Sequence, residues 1–528
     1  MGTGKSTVGP IVAQLANVPF VDLDAAVEVA AGKSIADIFR DDGELAFRTL
    51  EAQLLRSMLA DPSPRVIALG GGALVNPDLR IEALQFGCVV NLVAEPSTIA
   101  ERLLAAAAGQ PTGRPLLDGA LNPVDRIREL LAARAQVYAD ADARIRVDGR
   151  VPEAIARAVL HAWQGRNLVV RTATTTYAAR VTRDVPAELI EHLRVLAPSS
   201  VFVVTDETVD SLHTADTLQA LRHAGIPLGG KVVLAPGEAH KQWPAVQHIL
   251  EDLIHKSADR NSVIVAIGGG VVSDIAGFAA AILLRGIRWV AVPTTMLSMV
   301  DAAVGGKTAV DLGPAKNAVG SFHHPTAVFI DPTYTHTESA RAYVSGLAEV
   351  IKSAAIADPE LLDFMRLHHD KVVARDASAV EELIHRSLGV KVAIVNRDER
   401  ESGERMLLNF GHTLGHGFEA AGNYHDLTHG EAVALGMLAI LRFGIARNIT
   451  SREAARVIQE RIAAVGLPTN VDAQPMDRAL ELIAFDKKRV ASNVRLVLLE
   501  DLGRLRIDLV PMVEVRAFFA KGETKRTD

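Results

Sequence analysis

Five short apolar runs constrain this chain more than any other feature. They are Ser200–Thr205 (SVFVVT), Lys231–Leu234, Ser262–Ile267, Trp289–Pro293 and Ala327–Ile330, with helical periodicity between them. Runs of this length, rich in β-branched residues, read as buried strands. Strands alternating with helices imply a parallel, doubly wound α/β sheet. The chain has 528 residues, about three to four times a usual domain, so further domains are expected. Upstream, Asp148-Gly149-Arg150-Val151-Pro152 breaks the pattern. Glu153 to Trp163 then reads as an amphipathic helix, and after Gln164-Gly165-Arg166 a new strand starts at Asn167-Leu168-Val169-Val170. Past residue 338 strand signals fade and helical patterns dominate. The expected domains are 1–165, 166–338 and 339–528, the last all-helical.

Composition narrows the function class. Net charge is −7, from 56 basic and 63 acidic residues, which argues against a partner bound by a basic field such as nucleic acid. No uninterrupted apolar run approaches the roughly 20 residues of a membrane span, so no membrane is expected. Cys88 is the single cysteine, so an internal disulfide or cysteine-rich metal site is excluded. The N-terminus lacks the pattern of a secretory signal, and a cytoplasmic location is expected.

Gly2-Thr3-Gly4-Lys5-Ser6-Thr7 carries the latter part of G-x-x-x-x-G-K-[ST]. In that loop, backbone N–H groups wrap phosphates, lysine adds a point charge, and the following hydroxyl, here Ser6, holds Mg²⁺. The loop's first glycine would fall two residues before Met1, and the strand that usually leads in is absent from the sequence. Either the true start lies upstream or the nucleotide site is damaged. Downstream come Asp22 and Asp24 after an apolar run, Phe47-Arg48 with Glu51, Gly70-Gly71-Gly72, Arg114-Pro115-Leu116-Leu117, and Arg134 four before Tyr138. In order and spacing, roughly residues 1–150 resemble shikimate kinase. That resemblance implies a P-loop kinase-like parallel α/β domain that transfers phosphate from ATP to the shikimate 3-hydroxyl. It assigns Lys5 and Ser6 to phosphate and Mg²⁺, with Asp22 assisting the metal through water. It also assigns Asp24 to the substrate hydroxyls, Arg48, Gly71 and Arg134 to shikimate, and Arg114 to a closing lid over the ATP phosphates.

The second half opens with Ile267-Gly268-Gly269-Gly270-Val271-Val272-Ser273-Asp274 after an apolar strand. Glycines there would let backbone approach a pyrophosphate, although a tight turn looks the same. The triplet is not G-x-G-x-x-G, which disfavours a standard dehydrogenase. Asp206, Pro236-Gly237-Glu238 with Lys241, and Pro293-Thr294-Thr295 fall at other strand ends, where open α/β sheets bind ligands. Asp301 to Thr308, with Gly305-Gly306-Lys307-Thr308, is no second P-loop, because the preceding glycine is missing. Lys316-Asn317 follows nine residues after Lys307.

Four of the 17 histidines, His412, His416, His425 and His429, fall within 18 residues, where chance would put about half of one. His412 and His416 share a helix face. Two imidazoles with a distant carboxylate, such as Glu349, and an open position would suit catalytic zinc. A core pair or a solvated stripe is the bland alternative. The spacing is not H-E-x-x-H, so a metalloprotease is excluded.

Gly268–Asp274, Pro293–Lys307, Gly346–Lys352, Arg405–His412 with His416, and His429-Gly430-Glu431 together resemble 3-dehydroquinate synthase over about 167–515. The resemblance implies an NAD-binding Rossmann-like α/β domain, a helical metal-binding domain and a homodimer. Glu349, His412 and His429 become the ligands of Zn²⁺ or Co²⁺, and His416 passes to the substrate site. Asp206, Glu238, Lys241, Gly269, Gly270, Asp274, Thr294, Thr295, Lys307 and Lys316 would hold NAD⁺. Lys307, Asn317, Lys352, Lys391, Arg405, Asn409 and Lys488 would surround a doubly anionic substrate, and Arg285 would reach a neighbour's phosphate site. Thr337-Glu338-Ser339 departs from the family's Thr-Leu-Pro. The implied reaction turns 3-deoxy-D-arabino-heptulosonate 7-phosphate into 3-dehydroquinate and phosphate. A fused bifunctional enzyme follows. The alternatives are a non-catalytic first module on a working synthase, another sugar-phosphate cyclase, or a metal-dependent alcohol dehydrogenase.

Overall fold

The computed structural model describes residues 2–61, 63–107, 123–134, 137–138, 141–166, 168–313, 315–422, 426–483, 489–490 and 493–523. Arg114, His425 and Lys488 lie outside them. The chain divides into two compact units, Met1–Arg166 and Asn167–Asp528.

The first unit holds strands β1 (Phe20–Asp22), β2 (Val66–Ala68), β3 (Val90–Val93) and β4 (Ala143–Arg146). β1 pairs β2 and β3 pairs β4, both parallel. Helix α1 (Lys5–Ala16) buries Val8 and Val12 against Leu92, Ile99, Ile145 and Ile155. Ile155 comes from the helix Pro152–Arg166, which the amphipathic pattern anticipates. Helix α2 (Gly43–Ala60) turns Leu55 onto Leu23 and Leu79 beneath the Gly70–Gly72 turn.

The second unit is built on a seven-stranded sheet. Its strands are β5 (Val169–Arg171), β6 (Thr176–Val181), β7 (Val201–Asp206), β8 (Leu228–Leu234), β9 (Val263–Gly268), β10 (Arg288–Pro293) and β13 (Val328–Ile330), in the order β5-β6-β13-β10-β9-β7-β8. Every pairing is parallel except the antiparallel edge β5–β6. The five apolar runs are four inner strands, β13, β10, β9 and β7, and the edge strand β8 of this sheet's parallel part. Their side chains alternate between two cores, Val201 and Val203 into one, Phe202 and Val204 into the other. That two-sided burial is why the runs show no polar alternation. Between β10 and β13, β11 (Lys307–Leu312) and β12 (Ala315–Phe322) form an antiparallel hairpin.

Helix α3 (Gly270–Ile282) follows β9 directly. Beyond β13 the helices α4 (Ala340–Ala357), α5 (Ala377–Arg397), α6 (His412–Ala421) and α7 (His429–Ala446) dominate, as expected. Helix α7 is long and apolar enough to cross a membrane by composition alone, yet most of it is buried inside the unit. It is the central core helix, buried almost continuously from Gly430 to Leu441. The helical region also carries a small antiparallel sheet, β14 (Arg489–Val490), β15 (Asn493–Asp501) and β16 (Arg504–Pro511), which the sequence reading does not anticipate.

Candidate active sites

In the first unit, Gly4 caps α1 in a left-handed conformation and offers no side-chain acceptor to the helix N-terminus. No cap side chain therefore competes with an anion at this helix N-terminus. Ser6 Oγ donates to Asp22 Oδ2 at 3.0 Å, so the loop hydroxyl and the β1 carboxylate meet at one point. That pair of oxygens suits a Mg²⁺ ion that keeps much of its water. The other Asp22 oxygen accepts from the Asp24 backbone N–H at 3.1 Å.

A second cluster lies at the glycine turn. Arg134 Nη1 and the Tyr138 hydroxyl donate to the Gly71 carbonyl at 2.9 and 3.1 Å. Arg48 Nη1 donates to Glu51 Oε2 at 2.7 Å. A Cβ on Gly72 would come within 2.6 Å of Arg48, and one on Gly70 within 2.8 Å of Asp24 and 2.9 Å of Glu51. The turn thus packs directly against two carboxylates and a guanidinium. Glu51 is buried, and burial raises its pKa against the pull of Arg48. Its role is not read from the sequence, although it stands three residues from Arg48 on one helix face.

In the second unit, the strand-end residues gather along the carboxyl edge of the sheet. Asp206 ends β7 and accepts from the N–H groups of Thr208 and Val209 at 2.9 and 3.0 Å. Gly269 and Gly270 open α3, whose N-cap carries no side-chain hydrogen bond. Lys241 is buried, 2.5 Å from Asp274 on α3, and donates to Asn317 Oδ1 at 2.6 Å. Asn317, expected beside the substrate, is therefore held against Lys241, one of the residues expected to hold NAD⁺. Lys316 lies 3.3 Å from Glu238. Thr294 and Thr295 follow β10, with Thr295 Oγ1 2.9 Å from Ser298 Oγ.

The three residues expected to hold the metal, a triad, come from three helices. Glu349 sits inside α4, His412 is the first residue of α6 and His429 the first of α7. Thr428 and Glu431 form a reciprocal capping box that fixes where α7 begins. Glu431 also takes Arg341 of α4 at 2.7 and 2.8 Å. Gly430 lets the helices close, since a Cβ there would stand 1.8 Å from the Ser345 carbonyl oxygen. His-Gly-Glu is thus expected ligand, contact point and cap in succession. Gly411 precedes α6 with φ of +80°, a conformation other residues resist.

Nε2 of both His412 and His429 lies 3.4 Å from Glu349 Oε1. Glu349 is almost fully buried: its Oε2 is ion-paired to Lys352, and its Oε1 has no hydrogen-bond partner and faces the two imidazoles. A buried carboxylate oxygen without a hydrogen bond is costly, and a divalent cation between Oε1 and the two imidazoles would satisfy it. The residues fit the ion. Burial opposes it, but Lys352 and His429 hold the Glu349 carboxyl at about 2. Glu349 and Glu419 likewise outweigh burial and lift His429 to about 9. His416 joins the cluster, its ring 5.4 Å from His412 and 5.9 Å from His429.

Around the triad, Lys352 is ion-paired to Glu349, and Lys391 donates to Asp301 Oδ1 at 2.7 Å. Burial holds Lys391 below the ordinary lysine range despite that aspartate. Glu401 pairs with Lys307 and accepts from Asn409 Nδ2 at 2.6 Å. Arg405 is buried and donates to the Gly305 carbonyl at 2.9 Å. Arg285 is exposed, in the turn Leu283–Arg285, and no contact places it with these groups. Asp301, Glu401 and Glu419 are site residues without an assigned role in the sequence reading. Asp301 stands in a quoted motif, and Glu419 is one helical turn beyond His416, a signal available at i and i+3.

Residues 1–164 match the family model for shikimate kinase. Residues 231–345 and 346–489 match those for the N-terminal and C-terminal parts of 3-dehydroquinate synthase. The 3-dehydroquinate synthase of Clostridium botulinum (strain Alaska E43 / Type E3) is 37% identical over 340 residues, 64% of this chain and 96% of that protein. A 2-epi-5-epi-valiolone synthase from Streptomyces hygroscopicus subsp. jinggangensis, solved with NAD⁺ and Zn²⁺ bound, is 26% identical. The match has a TM-score of 0.60 and covers 66% of this chain and 97% of that one. A 2-deoxy-scyllo-inosose synthase complexed with carbaglucose-6-phosphate, NAD⁺ and Co²⁺ shares the fold at 22% identity and a TM-score of 0.60, covering 67% and 99%. The chain belongs to the 3-dehydroquinate synthase family and carries a shikimate kinase region fused ahead of the synthase.

Proposed function

We propose that the chain is a bifunctional enzyme of aromatic biosynthesis, acting in the cytoplasm as a homodimer, the last two points resting on the family resemblance. Its second unit converts 3-deoxy-D-arabino-heptulosonate 7-phosphate to 3-dehydroquinate and phosphate. Its first phosphorylates shikimate from ATP. The single observation that supports the synthase reading is the buried Glu349 carboxylate facing two imidazoles in the same unit as the glycine-opened crevice. When bound, NAD⁺ supplies reversible hydride uptake, and Zn²⁺ or Co²⁺ supplies Lewis acidity.

The chain's own residues bind and orient the substrate. Lys352 and Lys391 are ammonium groups buried beside the triad, suited to an anionic substrate. Lys391, with its pKa depressed by burial, is also able to hold and release a proton near the triad. Lys307 and Asn409, gathered by Glu401, form a polar pair that a phosphate would take over from the carboxylate. In the first unit, Lys5, Ser6 and Asp22 would hold ATP phosphates and Mg²⁺, and Asp24 would orient the attacking hydroxyl. Arg48 and Arg134 would clamp the shikimate carboxylate beside Gly71.

The test measures two turnovers on one preparation. Heptulosonate-dependent phosphate release without net NADH is the expected synthase outcome, and net NADH accumulation would replace the synthase by a dehydrogenase. Shikimate-dependent ADP formation is the expected kinase outcome. Its absence beside a working synthase would leave the first unit a non-catalytic module.

A further inference from the structure

Helix α6 carries His412, His416 and Glu419 at i, i+4 and i+7, on one face. Glu419 is buried, with 3% of its side chain exposed. Its Oε1 accepts from Lys316 Nζ at 3.0 Å. Its Oε2 has no hydrogen-bond partner and faces Nδ1 of His429 at 3.5 Å. The two nitrogens of His429 therefore have different neighbours, Glu349 at Nε2 and Glu419 at Nδ1.

We propose that Glu419 is a positioning residue for the metal centre: it holds His429 in the tautomer that presents the Nε2 lone pair, and Lys316 ties it to the nucleotide loop. The inference rests on the metal-dependent reading above. A neutral imidazole carries one ring proton, and a carboxylate only accepts. Facing Glu419, that proton belongs on Nδ1, which leaves Nε2 as the ligand atom. His412 solves the same problem with backbone, its Nδ1 3.3 Å from the Phe410 carbonyl oxygen. Both imidazoles of the triad are thus aimed from behind, one by main chain and one by a buried side chain.

The cluster His416, Glu419 and His429 also has the spacing of a second metal set. Two features argue for positioning instead. A cation there would meet the Lys316 ammonium, 3.0 Å from the same carboxylate. Nδ1 of His429 would also have to be ligand and proton donor at once. Lys316 reaches Glu238, in the turn Glu238–His240 after β8. The contacts Glu238–Lys316–Glu419–His429 therefore run from the nucleotide loop to a ligand of the metal.

The experiment titrates full-length, metal-stripped protein with Co²⁺, following the visible spectrum and competing with a chelator. Glu419→Ala should weaken Co²⁺ by about 10- to 100-fold, the usual loss for an outer-shell partner, and shift the cobalt bands. Glu419→Gln, whose amide oxygen still accepts from Nδ1–H, should recover most of the affinity. Lys316→Met should fall between wild type and Glu419→Ala. Wild-type affinity and spectrum in Glu419→Ala, or equal losses in the Ala and Gln variants, would overturn the proposal. If Glu419→Ala does not fold, Glu419→Asp replaces it, withdrawing the carboxylate by one methylene; weakened binding supports the role and unchanged binding refutes it. Failure of the underlying reading shows separately, as wild-type protein that binds no Co²⁺ at one per chain and ignores His412→Ala.

Discussion

Glu338 stands where the family resemblance implies leucine, and the structure gives it work that leucine could not do. Its Oε2 accepts from the Met296 N–H at 3.0 Å, just after Thr294 and Thr295, while Oε1 is buried without a partner. Burial lifts its pKa from 4.5 to about 7, against the Met296 bond and Arg375. The sign follows from linkage. Between 4.5 and 7 the folded chain keeps a proton that the unfolded chain releases, so stability falls as pH rises through that window and the loss is complete above it. Glu338→Gln keeps an acceptor for Met296 and removes the charge. We expect it to stabilise the second unit by about 1–2 kcal/mol at pH 8.5, a value reduced for partial exposure, and to change little at pH 4. Calorimetry at both pH values checks this, and an equal gain at both would sink the assignment. The residue was visible in the sequence only as a departure from Thr-Leu-Pro. Its carboxylate's environment was not, because Met296 and Arg375 approach it from segments about 40 residues away on either side. The reverse holds for His412 and His429. Their excess over chance was legible, and their assignment to one triad needed the resemblance, because Glu349 arrives from a separate helix.

At the level of elements, the site depends on how closely α4 and α7 approach. Gly430 is the contact point, with its hydrogen directed at the Ser345 carbonyl and its N–H donating to Ser345 Oγ at 2.9 Å. Gly430→Ala forces a methyl group to within 1.8 Å of that oxygen, so the helices must part or α7 must turn. Overpacking of this kind costs about 1–3 kcal/mol, occasionally more. Because His429 is the adjacent residue, the same shift should draw Nε2 from Glu349 and weaken Co²⁺ binding at least tenfold. A variant with wild-type melting temperature and metal affinity would show that the helices do not meet as closely as described. The parallel strands were readable because burial on both faces leaves uninterrupted apolar runs. The hairpin β11–β12 was not. Its second strand, AKNAVGSF, is exposed or half-exposed along its whole length and has no period to detect. β15, NVRLVLLED, is an apolar run amid helices, and at that length periodicity alone does not separate strand from helix.

At the level of the whole molecule, the two sets of site residues are assigned to different units, and that makes the activities separable by mutation. Ser6, Asp22, Asp24, Arg48, Gly71 and Arg134 belong to Met1–Arg166, whereas Asp206, Lys241, Glu349, His412 and His429 belong to Asn167–Asp528. Each unit also has hydrophobic clusters composed of its own residues. Asp24→Asn keeps the size of the side chain while removing the carboxylate proposed above to orient the shikimate hydroxyl. It should lower shikimate-dependent ADP formation by about 100-fold or more, the usual contribution of a positioned acid or base. Phosphate release from the heptulosonate in the same variant should stay within about twofold of wild type. Glu349→Gln should do the converse. It leaves the buried site with one negative charge fewer, so Lys352 loses the nearer of its two carboxylate partners and Co²⁺ the only carboxylate of the proposed triad. The four numbers form a two-by-two table, and both diagonal losses must appear with both off-diagonal activities intact. A kinase loss in Glu349→Gln beyond that of its folded fraction would mean that the synthase unit supports phosphoryl transfer, and would end the account of two self-contained active sites.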